Sequence, residues 1–389
     1  MRTKVLNFGG DFMKKIKILH CGDMHFDTPF KELNSKLSAV SKEELLEVLS
    51  TITNICKTNS VDIMLMAGDI FDNLTVNKKT LTFIKEQLGK IENVRVFISP
   101  GNHDPYNTNS FYKMIEWPSN VHVFKSEVEK VYIEELNTIV WGAAFNKAHI
   151  KKSLLKGIKP QSDYINLMVL HGEISQSEGG NSYNPITLSD IGDSGVDYLA
   201  LGHRHTYSGI LRERNTCYAY AGCPQGRGFD EAGDKGVILG EVYKGAVNLE
   251  FIRTSKRNYY VREVNISKAL SNEEIKEIIL KEIKEEDRLK NFYKIVLVGS
   301  VESYLNLKEE VILEKLKNEF YFVKIVDKTE IKIDFDAISQ DYSLKGIFAA
   351  KLIKELEENK DEDDLEIIKM ALKLGVQCLS EEEVSLNDY

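Results

Sequence analysis

Short apolar runs punctuate the first half of the chain: Lys15–His20, Asp62–Met66, Arg95–Ser99, Thr138–Trp141, Asn166–His171 and Tyr198–Leu201. They are rich in Ile, Val, Leu and Met, and apart from the alternating start of Lys15–His20 they lack polar alternation, so they read as largely buried strands. Between the first two, Leu45, Val48, Leu49, Ile52 and Ile55 recur at steps of three and four residues, one face of a helix. Ser41 and Glu44 ahead of that stripe have capping-box spacing and predict the helix start there. A second helix is expected over about Asn77–Lys90. Strand, helix and strand in repetition predict a largely parallel, buried sheet.

Further along, Cys217–Ala221, Gly236–Val242 and Val247–Arg253 follow one another without long helices, which predicts a mixed or two-sheet core. From about Asn258 the pattern changes. Ile275, Ile278, Ile279 and Ile283 line a helix face, and Phe292–Val298 reads as a strand. Leu305–Leu316 reads as a helix, and Phe320–Val326 with Glu330–Phe335 as paired strands. Two last helical patterns, Leu344–Leu356 and Asp364–Cys378, are joined by an acidic hinge. The expected divisions are an extension at 1–12, with Met13 as the natural start, a main α/β domain at 13–257, a small α+β domain at 258–340, and a helix pair with tail at 341–389.

With 389 residues, 42% of them apolar and 29% charged, the chain can bury one large core and a second smaller one. No apolar stretch approaches the roughly 18 residues of a membrane span, and no signal-peptide core is present, so a cytoplasmic protein without membrane partners is expected. The five cysteines form no Cys-x-x-Cys pair and read as reduced thiols, Cys21 as a buried one. Residues 261–389 carry 20 Lys/Arg against 30 Asp/Glu, leaving 31 against 30 before them. Neither part is strongly basic, so nucleic-acid binding would have to rest on local patches or on a partner.

The chemistry lies where the apolar runs end. Asp23-x-His25, Gly68-Asp69-x-x-Asp72, Gly101-Asn102-His103-Asp104, His171-Gly172 and Gly202-His203-x-His205 each follow such a run. In open α/β sheets the carboxyl ends of strands are where ligands bind. Alone, Asp-x-His is more often a surface turn than a ligand pair, and Gly-Asn-His-Asp fits a type I′ turn. Together they supply imidazoles, carboxylates and one neutral amide oxygen, the donors that hold a pair of divalent cations about 3.5 to 4 Å apart. Such a pair suits hydrolysis of phosphodiesters. Asp69 is the natural bridging carboxylate, Asn102 a neutral oxygen donor, and His103 is expected to face the scissile group instead of a metal. His203 and His205 can serve one ion each.

This order of motifs resembles the calcineurin-like metallophosphoesterase superfamily. Asp23–Phe30, Gly68–Asp72 and the Gly222–Arg227 loop look most like its SbcD nuclease group, and within that its YhaO-like bacterial branch. The resemblance covers about residues 15–254. It implies a two-sheet α/β sandwich flanked by helices, followed by the small α+β unit as a cap and by the C-terminal helix pair. It also implies one cation on Asp23, His25, Asp69 and His205 and a second on Asp69, Asn102, His171 and His203. His103 becomes the catalytic histidine, with Asp104 orienting its ring. Archaeal and eukaryotic relatives place a second active-site histidine where this chain has Asp72. The donor set favours manganese, with iron or zinc as alternatives.

By the same resemblance the chain would cleave DNA in repair or end processing as one subunit. Its partners would be an SbcC-like coiled-coil ATPase, seated on the C-terminal helices, and a second copy of itself. Two other readings use the same residues: a small-molecule phosphatase or cyclic-nucleotide phosphodiesterase, and a non-catalytic DNA-end-binding subunit. Arg227, on a loop with Phe229 and Asp230, and Arg257, within the run Arg253, Lys256, Tyr259, Tyr260 and Arg262, are candidate phosphate contacts. Lys147, Lys151, Lys152, Lys156 and Lys159 read as a solvated helix face, and His20, His122 and His149 as packing or surface residues.

Overall fold

The computed structural model describes residues 14–72, 76–125, 127–177, 183–302, 305, 307–332, 334–359 and 362–379. The expected extension at 1–12 and the tail at 380–389 lie outside the described residues. The chain divides into two compact units, residues 1–261 with 289–294, and residues 262–288 with 295–389.

The first unit holds two six-stranded sheets. One runs in the order Ala246–Arg253, Gly236–Tyr243, Lys15–Cys21, Ile63–Met66, Arg95–Ile98, Val121–Val123. The other runs Leu211–Glu213, Thr216–Tyr220, Tyr198–Gly202, Ile165–His171, Thr138–Gly142, Glu129–Ile133. In each, four consecutive strands are parallel, and antiparallel strands fill the remaining edge positions.

Alternation of side chains along the strands explains the layers. Met64 and Met66 pack with Leu45, Val48, Leu49 and Ile52 of the helix Ser35–Thr58. Ile63 and Leu65 turn the other way, onto Leu167, Val169 and Ala200 of the second sheet. The far face of that sheet, through Met168, Leu170 and Leu199, meets Ile191 of the helix Leu188–Ser194. The result is the expected sandwich flanked by helices.

Two local expectations need correction. The first helix begins six residues before Ser41, at Ser35, where Asn34 accepts a hydrogen bond from Leu37 N at 3.0 Å. Nothing in Ser35–Val40 breaks a helix, and an earlier cap takes precedence over a later one. Ser41 is instead a buried interior residue. The lysines from Lys147 to Lys159 lie on an irregular stretch, not on a helix.

A three-stranded sheet in the order Tyr259–Asn265, Phe292–Val301, Phe322–Ile331 lies mostly in the second unit, its first two strands starting within residues assigned to the first, and the second unit also holds the helices Asn272–Glu282 and Glu309–Leu316. The paired strands expected at Phe320–Phe335 are a single strand, Phe322–Ile331, because Asp327 and Lys328 carry no obligatory turn residue. The short helix Phe335–Ser339 follows. It and the helices Leu344–Glu358 and Glu362–Cys378 share a small core around Ala349, Leu372 and Val376. Among the described residues no helix is long and apolar enough to cross a membrane.

One polar group bridges the two sheets of the first unit. His20 is fully buried, its Nδ1 2.9 Å from the Tyr198 hydroxyl and its Nε2 3.2 Å from Leu201 O. The carbonyl can only accept, so the ring donates from Nε2 and receives the tyrosine proton at Nδ1. Burial pushes its pKa down to about 3. Unfolded, the ring takes a proton below pH of about 6.5. The folded-state pKa is depressed, so this stability is present above that pH and is lost as pH falls toward the folded value. His20→Gln should therefore flatten the stability profile, removing about 2 kcal/mol of the loss between pH 7 and 5 in urea titrations. An unchanged profile would show that His20 does not carry it.

Candidate metal centre

All five motifs reach one end of the sandwich. The Asp23 loop is laid along the Asp69 loop by Asp23 N to Gly68 O, His25 N to Asp69 O and Phe26 N to Ile70 O, each at 2.9 Å. Asp23, His25, Asp69 and His203 have φ of 52°, 48°, 48° and 109°, a region uncommon for residues other than glycine. Gly101 and Gly202 allow close approach: a Cβ would fall 2.2 Å from Asp69 Oδ1 and 1.8 Å from Ala67 O, respectively.

The side chains then meet acceptor to acceptor. His171 Nδ1 lies 2.9 Å from Ala67 O and must donate to it, which leaves Nε2 as a bare lone pair. That lone pair faces Asn102 Oδ1 at 2.9 Å and Asp69 Oδ2 at 3.4 Å. His25 Nδ1 is 3.1 Å from Asp72 Oδ1, and His205 Nδ1 is 2.7 Å from Glu231 Oε1. Each carboxylate accepts a hydrogen bond from its Nδ1, and the two Nε2 atoms face one another at 3.3 Å. A positive centre, proton or metal, belongs between them. Asp69 Oδ2 lies 3.7 Å from His25 Nε2 as well, between the two sets of donors.

The donor atoms of Asp23, His25 and His205 lie within 4.8 Å of one another, as do those of Asp23, Asp69 and His171. His203 donates its backbone N–H to Asp23 at 3.0 Å, and its ring stands 5.3 Å from that of His171. The donor atoms of His25, Asp69 and His103 form a third such group, so the residues fit divalent cations bound around Asp23, His25 and Asp69. Electrostatics agree. Burial pushes Asp23 up to about 7 and Asp69 up to about 6, so both carboxylates lack the countercharge a cation supplies. Burial lowers His25 well below its usual range and brings His171 to about 4, keeping both rings neutral for ligation. For His205, burial is outweighed by the hydrogen bond to Glu231 and the charges of Asp23 and Glu231, and the ring is raised.

His103 stands beside these ligands with its side chain 45% exposed. Its N–H donates to Asp69 Oδ1 at 2.9 Å, and its Nδ1 meets the Asp72 carbonyl at 3.0 Å. Asp104 does not orient the ring as expected. It is buried and accepts from Ile70 N, Phe71 N, Gly101 N and the Tyr112 hydroxyl at 2.6 to 3.1 Å, bracing the two loops from behind. Four donors already occupy its oxygens, so Asp72 holds the histidine.

The two arginines are also placed differently. Arg227 is near the site but largely buried, 2.5 Å from Glu231 Oε1 and 3.4 Å from Asp72 Oδ1. Arg257 pairs with Glu44 at 2.8 Å and donates to Lys290 O at 2.8 Å. Glu231 escapes the sequence reading, although its four-residue spacing from Arg227 is a signal.

A mixed two-sheet sandwich that gathers this donor set at its strand ends is the arrangement of a metal-binding α/β domain. Residues 16–207 match the calcineurin-like phosphoesterase family, and this stretch is a calcineurin-like metallophosphoesterase domain. The chain is 31% identical over 264 residues to the uncharacterized metallophosphoesterase YhaO of Bacillus subtilis, covering 65% of this chain and 64% of that protein. It is 25% identical over 263 residues to the DNA double-strand break repair protein Mre11 of Saccharolobus solfataricus, covering 64% of this chain and 66% of that one. The match thus spans just under two thirds of either relative. The crystal structure of TT1561 of Thermus thermophilus overlaps 61% of this chain and 99% of its own at 9% identity, with a TM-score of 0.38, too slight to bear on the fold.

Proposed function

We propose that the chain is a manganese-dependent DNA nuclease of SbcD type, hydrolysing phosphodiesters in DNA repair or end processing. The observation that carries the hydrolytic part is the set of lone pairs turned on one another around Asp69, next to an exposed His103. Divalent cations held there would neutralise the phosphoryl oxygens and supply the activated nucleophile. Their nitrogen and oxygen donors suit manganese. His103 gives a proton to the leaving oxygen from Nε2, while the Asp72 carbonyl fixes Nδ1. The Asp72 carboxylate, 3.7 Å from that nitrogen, is the counter-group a protonated ring needs.

DNA as substrate is supported by the likeness to a protein named for double-strand break repair. A coiled-coil ATPase partner is supported by exposed apolar residues on the C-terminal helices, Leu344, Ile347, Ile367 and Met370. A second copy of the chain completes the proposed assembly.

The test is incubation with Mn2+ and labelled linear, hairpin and single-stranded DNA, beside cyclic nucleotides and a nitrophenyl phosphodiester. DNA cleavage is expected, slowed by about 10²- to 10⁴-fold in His103→Ala with cation binding retained. Cleavage of the small diesters alone, with every DNA intact even after an ATPase partner is added, would overturn the substrate assignment.

A further inference from the structure

The groups behind the metal-facing atoms form one continuous chain. Glu231 is 4% exposed; its Oε1 takes His205 Nδ1 at 2.7 Å, and its carboxylate receives Arg227 N at 2.8 Å and Nε at 3.0 Å. Arg227 then reaches Asp72 Oδ1 at 3.4 Å, and the same oxygen receives His25 Nδ1 at 3.1 Å. The carbonyl of Asp72 holds His103.

We propose that Arg227 and Glu231 are positioning residues, a clamp that fixes ring orientation and tautomer at His205 directly and at His25 and His103 through Asp72. This rests on the reading of His25 and His205 as cation ligands. An ion pair that merely braced the Phe229–Glu231 turn would explain Arg227 and Glu231. It would not explain why Glu231 also lies 2.7 Å from His205 Nδ1, nor why the guanidinium spans to Asp72. With Nδ1 engaged in each ring, by Asp72 at His25 and by Glu231 and the Arg227 guanidinium at His205, Nε2 is the nitrogen that both turn to the site. Partners of this kind set the basicity and aim of metal-bound histidines, and their loss weakens binding by about 10- to 100-fold.

The experiment titrates Mn2+ into the purified full chain and into Glu231→Gln by calorimetry, and records ring-nitrogen spectra of both after loading with Zn2+. Two ions are expected in the parent. In Glu231→Gln one should weaken by about 10- to 100-fold while the other is retained, and the ring nitrogens of His205 should shift most, with smaller shifts at His25 and His103. Two ions with unchanged affinity and unchanged ring signals in the variant would overturn the clamp and leave the metal site standing. A parent that binds no cation would overturn the functional reading beneath it. Should Glu231→Gln fail to fold, Arg227→Lys carries the test, since it keeps the charge but cannot join Glu231 to Asp72. Weakening at the same ion supports the clamp, and parent-like binding refutes it.

Discussion

Asp69→Ala should abolish binding of both cations and slow hydrolysis by roughly a thousandfold or more, the largest loss from any single change in the site. Asp69 Oδ2 lies near donors of both sets, 3.4 Å from His171 Nε2 and 3.7 Å from His25 Nε2. Asp69 Oδ1 also fixes His103 N at 2.9 Å, so one side chain serves ions and acid together. Asp69→Asn separates these roles, because an amide oxygen can still accept from His103 while the charge is gone. Its metal-free form should be at least as stable as the parent at pH 8. The buried carboxyl, raised to about 6, contributes stability only when protonated, and that contribution is lost as pH rises through its folded value. Thermal melts with and without Mn2+ check this: the parent should gain stability on loading and Asp69→Asn should not. A cation-dependent gain in the variant would show that the charge of Asp69 is dispensable.

Gly202→Ala should destabilise the first unit by about 3 kcal/mol or more, lowering its melting temperature by roughly 6 to 12 °C. The added methyl would sit 1.8 Å from Ala67 O and 3.0 Å from His171 Nδ1. Neither neighbour can yield easily, since Ala67 O is backbone and also holds the His171 ring. The strand Tyr198–Gly202 would have to move off the first sheet and carry His203 with it. Gly89→Ala, whose Cβ would meet only Pro118 Cγ at 3.6 Å, is the control and should change stability by less than about 1 kcal/mol. Similar melts for the two variants would refute the close approach.

Most of this architecture is legible in the sequence because its strands are short, apolar and buried on both faces, and because function sits where they stop. Asp23, Asp69, Asn102, His171 and His203 each follow an apolar run. Their convergence then follows from sheet topology. What stays hidden is what depends on three-dimensional competition. Asp104 is adjacent to His103 in sequence, yet its carboxylate is taken by backbone donors from another loop, and Asp72 orients the histidine instead. Arg227 and Arg257 carry the charge a phosphate contact needs, but Glu231 and Glu44 claim them. The helix start is misread for a simpler reason: two capping signals lie several residues apart, and the earlier one, Asn34, prevails.

The left-handed backbone at Asp23, His25, Asp69 and His203 bears on how the fold spends its stability. Each such conformation at a non-glycine residue strains the fold by about 1 to 3 kcal/mol, and persists only where the surroundings enforce it. Glycine at any of the four would relieve that strain. Instead all four positions carry donor side chains of the candidate metal centre, so part of the folding energy is held as strain that aims those donors into one space.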